Sequence, residues 1–156
     1  MIAQLRGTLA AKALDRITVM TPGGVGYELL IPLAVFETLP KLGDPVQLHT
    51  QLVVRDDGWL LFGFTTPFER QVFQLLLTAN GVDPALALAL VSHLTADRLV
   101  RALREKDSAT LQGVPRVGRK KAERMVLDLA DKLDVLEIDA TVPRPAGAGA
   151  EDAIRA

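Results

Sequence analysis

Apolar and polar residues alternate along the first 64 residues, the pattern of β-strands that bury one face. The last two predicted strands flank the turn at 55–58, whose Asp57-Gly58 pair is typical of a tight hairpin. The five predicted strands cover residues 2–10, 16–20, 27–31, 46–54 and 59–64. Five short strands are the number found in a small closed barrel such as the OB-fold.

From Pro67 onward the apolar residues recur at helical spacing. Thr95 and Ser108 are expected to be N-caps, because their hydroxyl groups can accept hydrogen bonds from first-turn amides. Helices are predicted over residues 67–77, 84–93, 96–106, 108–112 and 119–133, with a further short one over 35–39 between strands. The fold class is therefore α+β and multi-domain.

Three segments are predicted along the chain. Residues 1–64 form the barrel domain, and residues 65–136 form an all-helical domain. Residues 137–156 are rich in Pro, Gly and Ala at their centre, which is typical of a flexible linker. Because the linker leads only six residues further, a following domain is expected to be missing.

The helical segment contains an internal repeat of a tight turn followed by a helix. Gly81-Val82-Asp83-Pro84-Ala85 aligns with Arg116-Val117-Gly118-Arg119-Lys120, and an apolar helix follows each turn. Asp followed by Pro is the sequence of an ordinary helix cap, so the Asp83 carboxylate is expected to occupy the amides that an anion would need. The second turn has no such carboxylate, and Gly118 is expected to take a positive φ there.

Four cations lie in the first turns of the helix that follows the second turn, namely Arg119, Lys120, Lys121 and Arg124. A helix N-terminus has unpaired amides and a dipole that favours anions, so this cluster predicts a phosphate site. Gly113 and Gly118 have the spacing of a P-loop, but the Lys-Ser/Thr pair that binds ATP and magnesium is absent. A nucleic-acid backbone is therefore the favoured ligand, because binding its phosphates needs only backbone amides and positive charge. A solvated basic helix remains the alternative.

Composition excludes several other classes of protein. The 156 residues are 49% hydrophobic and contain no cysteine, so a folded core is expected and thiolate metal sites are not. His49 and His93 are isolated, and neither a metal nor a cofactor is expected. No segment has the length of a membrane helix or the pattern of a signal peptide, so the expected location is the cytoplasm.

The net charge of -1 hides an uneven distribution. Residues 65–133 carry eleven Lys and Arg against eight Asp and Glu, whereas residues 1–64 carry five against six. Residues 134–156 carry two against five. A basic module thus lies between two acidic segments, as expected if only the helical part binds DNA.

Nearly the whole chain resembles the RuvA family, the Holliday-junction-binding subunits of the bacterial branch-migration machine. The repeat resembles the family's two helix-hairpin-helix motifs, which bind DNA phosphates without reading bases. The most specific matching segments are Met-Ile-Ala-Gln-Leu-Arg-Gly at 1–7, Gly-Gly-Val-Gly-Tyr-Glu at 23–28, Val-Val-Arg-Asp-Asp at 53–57, Leu-Leu-Phe-Gly-Phe at 60–64, Asn-Gly-Val at 80–82 and Lys-Ala-Glu-Arg at 121–124.

The resemblance implies a non-enzymatic protein that binds four-way junction DNA as a homotetramer or a double tetramer in recombination, repair and the SOS response. It implies partnership with the RuvB ATPase, through a third domain beyond the linker, and with the RuvC resolvase. It also implies that Asp56 and Asp57 form an acidic pin that repels phosphates at the crossover. The implied DNA-binding residues are Gly81, Val82, Asp83, Ala85, Arg116, Val117, Gly118, Arg119, Lys120, Lys121 and Arg124.

Two other functions remain open at this level. A general OB-type single-stranded DNA-binding protein would stack bases on aromatic side chains, which make up 4% of this chain. A metal-dependent junction nuclease would use Asp56 and Asp57 as ligands, although a hairpin tip offers few convergent groups. Without the resemblance, the two carboxylates would be interpreted as part of a soluble turn.

Overall fold

The computed structural model describes residues 1–136 and contains a closed five-stranded barrel. Neighbouring strands follow the order β1-β2-β3-β5-β4. The strands are β1 (Gln4–Lys12), β2 (Arg16–Met20), β3 (Gly26–Leu30), β4 (Pro45–Arg55) and β5 (Gly58–Phe64). All pairs are antiparallel except β3 and β5, which are parallel and meet at Leu30 and Phe62. The predicted barrel is confirmed.

Alternating apolar side chains fill the barrel, as the period of two requires. Leu9, Ile17, Val19 and Leu29 are at most 1% exposed. Between β3 and β4, the short helix α1 (Leu33–Thr38) buries Val35 against this core. At Gly7 the backbone of β1 approaches β2 so closely that a Cβ atom would overlap the Met20 carbonyl oxygen.

The helical part begins directly after the last strand. Its elements are α2 (Pro67–Leu76), α3 (Pro84–Arg104), α4 (Ser108–Gln112), α5 (Arg119–Leu129) and a 3-10 turn over Ala130–Lys132. A capping box starts α2: the Thr66 hydroxyl accepts from the Glu69 amide at 3.2 Å, and the Glu69 carboxylate accepts from the Thr66 amide at 3.0 Å.

Helix α3 contains the break that was predicted near Thr95. Thr95 has φ 61° and ψ 160°, a non-helical conformation between two helical segments. The prediction that Ser108 caps the next helix is wrong by one residue. Asp107 is the N-cap of α4, because its carboxylate accepts from both the amide and the hydroxyl of Thr110, at 3.1 and 2.6 Å.

The barrel and the helices share an apolar core. Phe62 and Phe64 of β5 lie against Phe73 of α2, with ring centroids 4.7 and 5.1 Å apart. All three rings are at most 1% exposed, and they belong to the same buried cluster as α3, α4 and α5. This packing fixes the helices against one side of the β4–β5 hairpin.

Candidate nucleic-acid interface

The two predicted turns have the same backbone conformation. Gly81 has φ 80° and its counterpart Arg116 has φ 72°. Two residues later, Asp83 has φ -86° and ψ 170°, and Gly118 has φ -85° and ψ -179°. Each turn is therefore a left-handed residue, a buried valine and an extended N-cap, in that order.

Hydrogen bonds repeat with the same offset of 35 residues. The Val82 amide donates to the Ala79 carbonyl at 3.4 Å, and the Val117 amide donates to the Val114 carbonyl at 3.1 Å. Side chains pointing into the core repeat as well: Leu76 with Leu111, Ala87 with Ala122, and Leu90 with Met125 are all fully buried pairs. The internal repeat is thus two structural copies of a helix-hairpin-helix.

The expectation that Gly118 adopts a positive φ is wrong. Gly118 is extended, because it is the N-cap of α5 and caps are extended before the first helical residue. The left-handed position of the second hairpin is Arg116, a residue whose Cβ disfavours that region. The prediction assigned the positive φ to Gly118 because glycine adopts it most easily. In the repeat, however, the residue aligned with the left-handed Gly81 is Arg116.

The two N-caps leave different groups available to a ligand. In the first hairpin the Asp83 carboxylate accepts a hydrogen bond from the Leu86 amide at 2.8 Å, as predicted. In the second hairpin no side chain caps α5 within the described residues. A Cβ atom built on Gly118 meets nothing within 4 Å, so the space before these amides is open. An anion can therefore approach the first amides of α5, whereas in α3 a carboxylate already accepts from the corresponding amides.

The four cations of α5 differ in their partners. Arg119 pairs with Glu123, and Arg124 pairs with Asp128, each at 3.3 Å and four residues along the helix. Lys120 is exposed and Lys121 is half-buried, and neither forms an ion pair in the described part of the chain. The two lysines are therefore the cations most available to a phosphate.

Asp128 also joins the two hairpins, a role that sequence reasoning missed. Its Oδ2 atom accepts from the Asn80 amide at 3.1 Å, next to Gly81. Four residues further, the Lys132 ammonium donates to the Thr78 hydroxyl at 3.1 Å. Only the Arg124-Asp128 spacing is visible in the sequence, and it indicates a surface ion pair rather than a contact 48 residues away.

Asp56 and Asp57 form the exposed loop between β4 and β5. Asp57 lies 3.5 Å from Arg55, and its side chain is 79% exposed. The predicted hairpin with an acidic tip is present.

Two family models match the chain. The model described as RuvA N terminal domain matches residues 1–63, and the one described as SAM-like Helix-hairpin-helix tandem matches residues 73–131. A curated relative from Gemmatimonas aurantiaca, named Holliday junction branch migration complex subunit RuvA, is 58% identical over all of this chain and 79% of its own length.

The chain belongs to the RuvA family. Relatives with the same name from Pseudomonas paraeruginosa and Pseudomonas aeruginosa are each 47% identical over 88% of this chain and 68% of their own lengths. The helix-hairpin-helix match over residues 73–131 includes both hairpins and Asp128.

The two histidines of this RuvA-family chain lie in β4 and α3. Burial lowers the pKa of His49, and the nearby Arg70 charge lowers it further against the opposing effect of Glu69. The Nδ1 atom of His93 lies 3.1 Å from the Ala89 carbonyl one turn earlier.

Within residues 1–136 no three His, Cys, Asp or Glu side chains are grouped so as to hold a metal ion. No helix in that part of the chain is long and apolar enough to span a membrane.

Proposed function

We propose that this RuvA-family chain binds four-way junction DNA by its phosphate backbone and serves as the DNA-binding subunit of a branch-migration complex. The observation that carries the proposal is the pair of hairpins with the same backbone conformation, joined through Asp128, of which the second ends in an uncapped helix N-terminus. The names of the curated relatives support the same role.

The second hairpin supplies most of the binding in this proposal. The free amides at the start of α5 face an open space in front of Gly118, and Lys120 and Lys121 add unpaired positive charge. A phosphate there gains charge-assisted hydrogen bonds and replaces counterions, with no base contact required. The first hairpin, from Gly81 to Ala85, contributes less because Asp83 occupies the Leu86 amide.

Selectivity for junctions is proposed to come from assembly. One copy offers only a few phosphate contacts, so four copies around a crossover would combine weak contacts on four arms. Asp56 and Asp57 would lie at the centre and repel phosphates there. A homotetramer or double tetramer, a RuvB-type ATPase partner and a RuvC-type resolvase partner belong to this proposal.

A comparison of three DNA ligands tests the proposal. At one fixed salt concentration, a four-way junction should bind at least about tenfold more tightly than a duplex of the same sequence, and single strands should bind weakest. Preference for single strands would support the OB-type alternative instead. Cleavage of the junction that requires magnesium would support the nuclease.

A matched pair of variants locates the phosphate site. Lys120→Ala should lower the slope of log affinity against log salt by about 0.9, the contribution of one phosphate contact. Lys41→Ala removes an equal charge from the exposed loop before β4, and we expect no comparable change. Equal effects of both variants would contradict a localised site at α5.

A further inference from the structure

The β4–β5 hairpin extends beyond the barrel. Strand β4 pairs with β1 only as far as His49, and β5 pairs with β3 at Phe62. The remaining pairs join β4 only to β5, from Leu52 with Leu61 to Arg55 with Gly58. Leu52 and Leu61 still pack on the barrel core, and Val53 and Leu60 pack on the helical core. The projecting end of the hairpin therefore consists of the last two pairs, Val54 with Trp59 and Arg55 with Gly58.

An exposed tryptophan lies on this projection. Trp59 pairs with Val54 across the hairpin, and the two side chains are 71% and 62% exposed. Alternation along β5 places Trp59 on the same face as Leu61, whose side chain lies in the barrel core. Past the barrel that face has nothing to cover it in the described residues, so Val54 and Trp59 form an apolar platform.

Trp59 is unlike the other aromatic residues of the chain, which has one Trp, one Tyr and five Phe. The phenylalanines and the tyrosine are buried or half-buried, and only Trp59 is exposed. The platform lies directly beside Asp56 and Asp57, which carry unpaired or weakly paired negative charge. Its occupant must therefore suit an aromatic face next to two carboxylates.

An unpaired DNA base has that chemistry. A base is uncharged, presents a flat face that stacks on tryptophan, and carries N–H groups that, when unpaired, can donate hydrogen bonds to carboxylates. A phosphate is repelled by the tip, whereas an uncharged base is not. We propose that Trp59, supported by Val54, stacks on an unpaired base at the point where the strands separate. This inference rests on the proposed junction binding.

The emission of Trp59 tests it directly, because the chain has no other tryptophan. Saturating the full chain with a four-way junction should quench the emission by about twofold, whereas a saturating duplex of the same sequence should leave it nearly unchanged. Labelled DNA in the same samples reports binding independently. A junction that binds without quenching overturns the inference and leaves the proposed function intact; a junction that does not bind overturns both.

Variants separate stacking from simple apolar contact. Trp59→Phe should keep junction affinity within about threefold, whereas Trp59→Leu and Trp59→Ala should lose about tenfold, since only an aromatic face stacks. Leu retaining full affinity would overturn the inference. So would emission from the DNA-free protein that is already blue-shifted and shielded from iodide, because a second copy of the chain would then cover the platform.

Discussion

At the scale of single residues, the two hairpins differ in one group, the side chain at the N-cap. Asp83 and Gly118 have almost the same φ and ψ, yet the Asp83 carboxylate accepts from the Leu86 amide at 2.8 Å, whereas Gly118 has no side-chain acceptor. Since an external anion competes for the same amides, the cap and the ligand exclude each other.

Exchanging the N-cap residues of the two hairpins should exchange their proposed strengths of DNA binding. Asp83→Gly should strengthen DNA binding by removing a carboxylate, at a cost of a few tenths of a kcal/mol in stability, about the value for glycine at a cap. Gly118→Asp should weaken binding while leaving the fold intact, because a Cβ there meets nothing within 4 Å. Salt-titrated binding and urea denaturation measure both effects; tighter binding by Gly118→Asp would refute this assignment.

At the scale of elements, a left-handed residue starts each hairpin. Gly81 takes that conformation without a steric cost, whereas Arg116 does so with a Cβ. The hydrogen bonds from Val82 to Ala79 and from Val117 to Val114 hold both turns in shape. Packing of the two valines into the core therefore overrides the local preference of Arg116.

Gly81→Ala should destabilise the protein by about 1 kcal/mol, because alanine disfavours φ 80°. Gly23→Ala is the matched control: Gly23 also lies in a turn, but its φ is outside the left-handed range and a Cβ there meets nothing within 4 Å. Urea unfolding of both variants gives the comparison. Equal losses would show that the hairpin is not held in the left-handed conformation.

At the scale of the whole molecule, the barrel and helices act as one packed body through Phe62, Phe64 and Phe73. This shared core holds the acidic hairpin and the two helix-hairpin-helix motifs on one framework. Under the proposed function, we expect changes at the barrel to alter junction selectivity without touching α5.

Asp56→Asn combined with Asp57→Asn should tighten binding to every DNA ligand and narrow the preference for junctions, because a repulsive element is removed. Both residues are exposed, so stability should change little. Competition between junction and duplex at fixed salt measures the preference. An unchanged preference would leave Asp56 and Asp57 as an ordinary soluble turn.

His49 should make the stability of the protein depend on pH. Its pKa is lowered in the folded protein, so the unfolded chain takes up a proton first as the pH falls. Stability should therefore decrease as the pH falls through about 6.5, the ordinary histidine value, and level off below the folded pKa. His49→Gln should flatten this slope in urea titrations between about pH 5 and 7. Asp107, whose pKa is lowered by its hydrogen bonds to Thr110, acts separately at more acidic pH, below the ordinary aspartate range.

The sequence by itself determined the strands, the helices, the repeat and the cationic cluster, because each depends on periodicity or on neighbours within a few residues. It also indicated the acidic hairpin and the Asp83 cap, whose hydrogen bond closes over three residues. Tertiary structure alone decided the rest. The left-handed backbone at Arg116, the contact of Asp128 with Asn80 and the exposure of Trp59 arise from packing between distant segments, which local patterns do not encode.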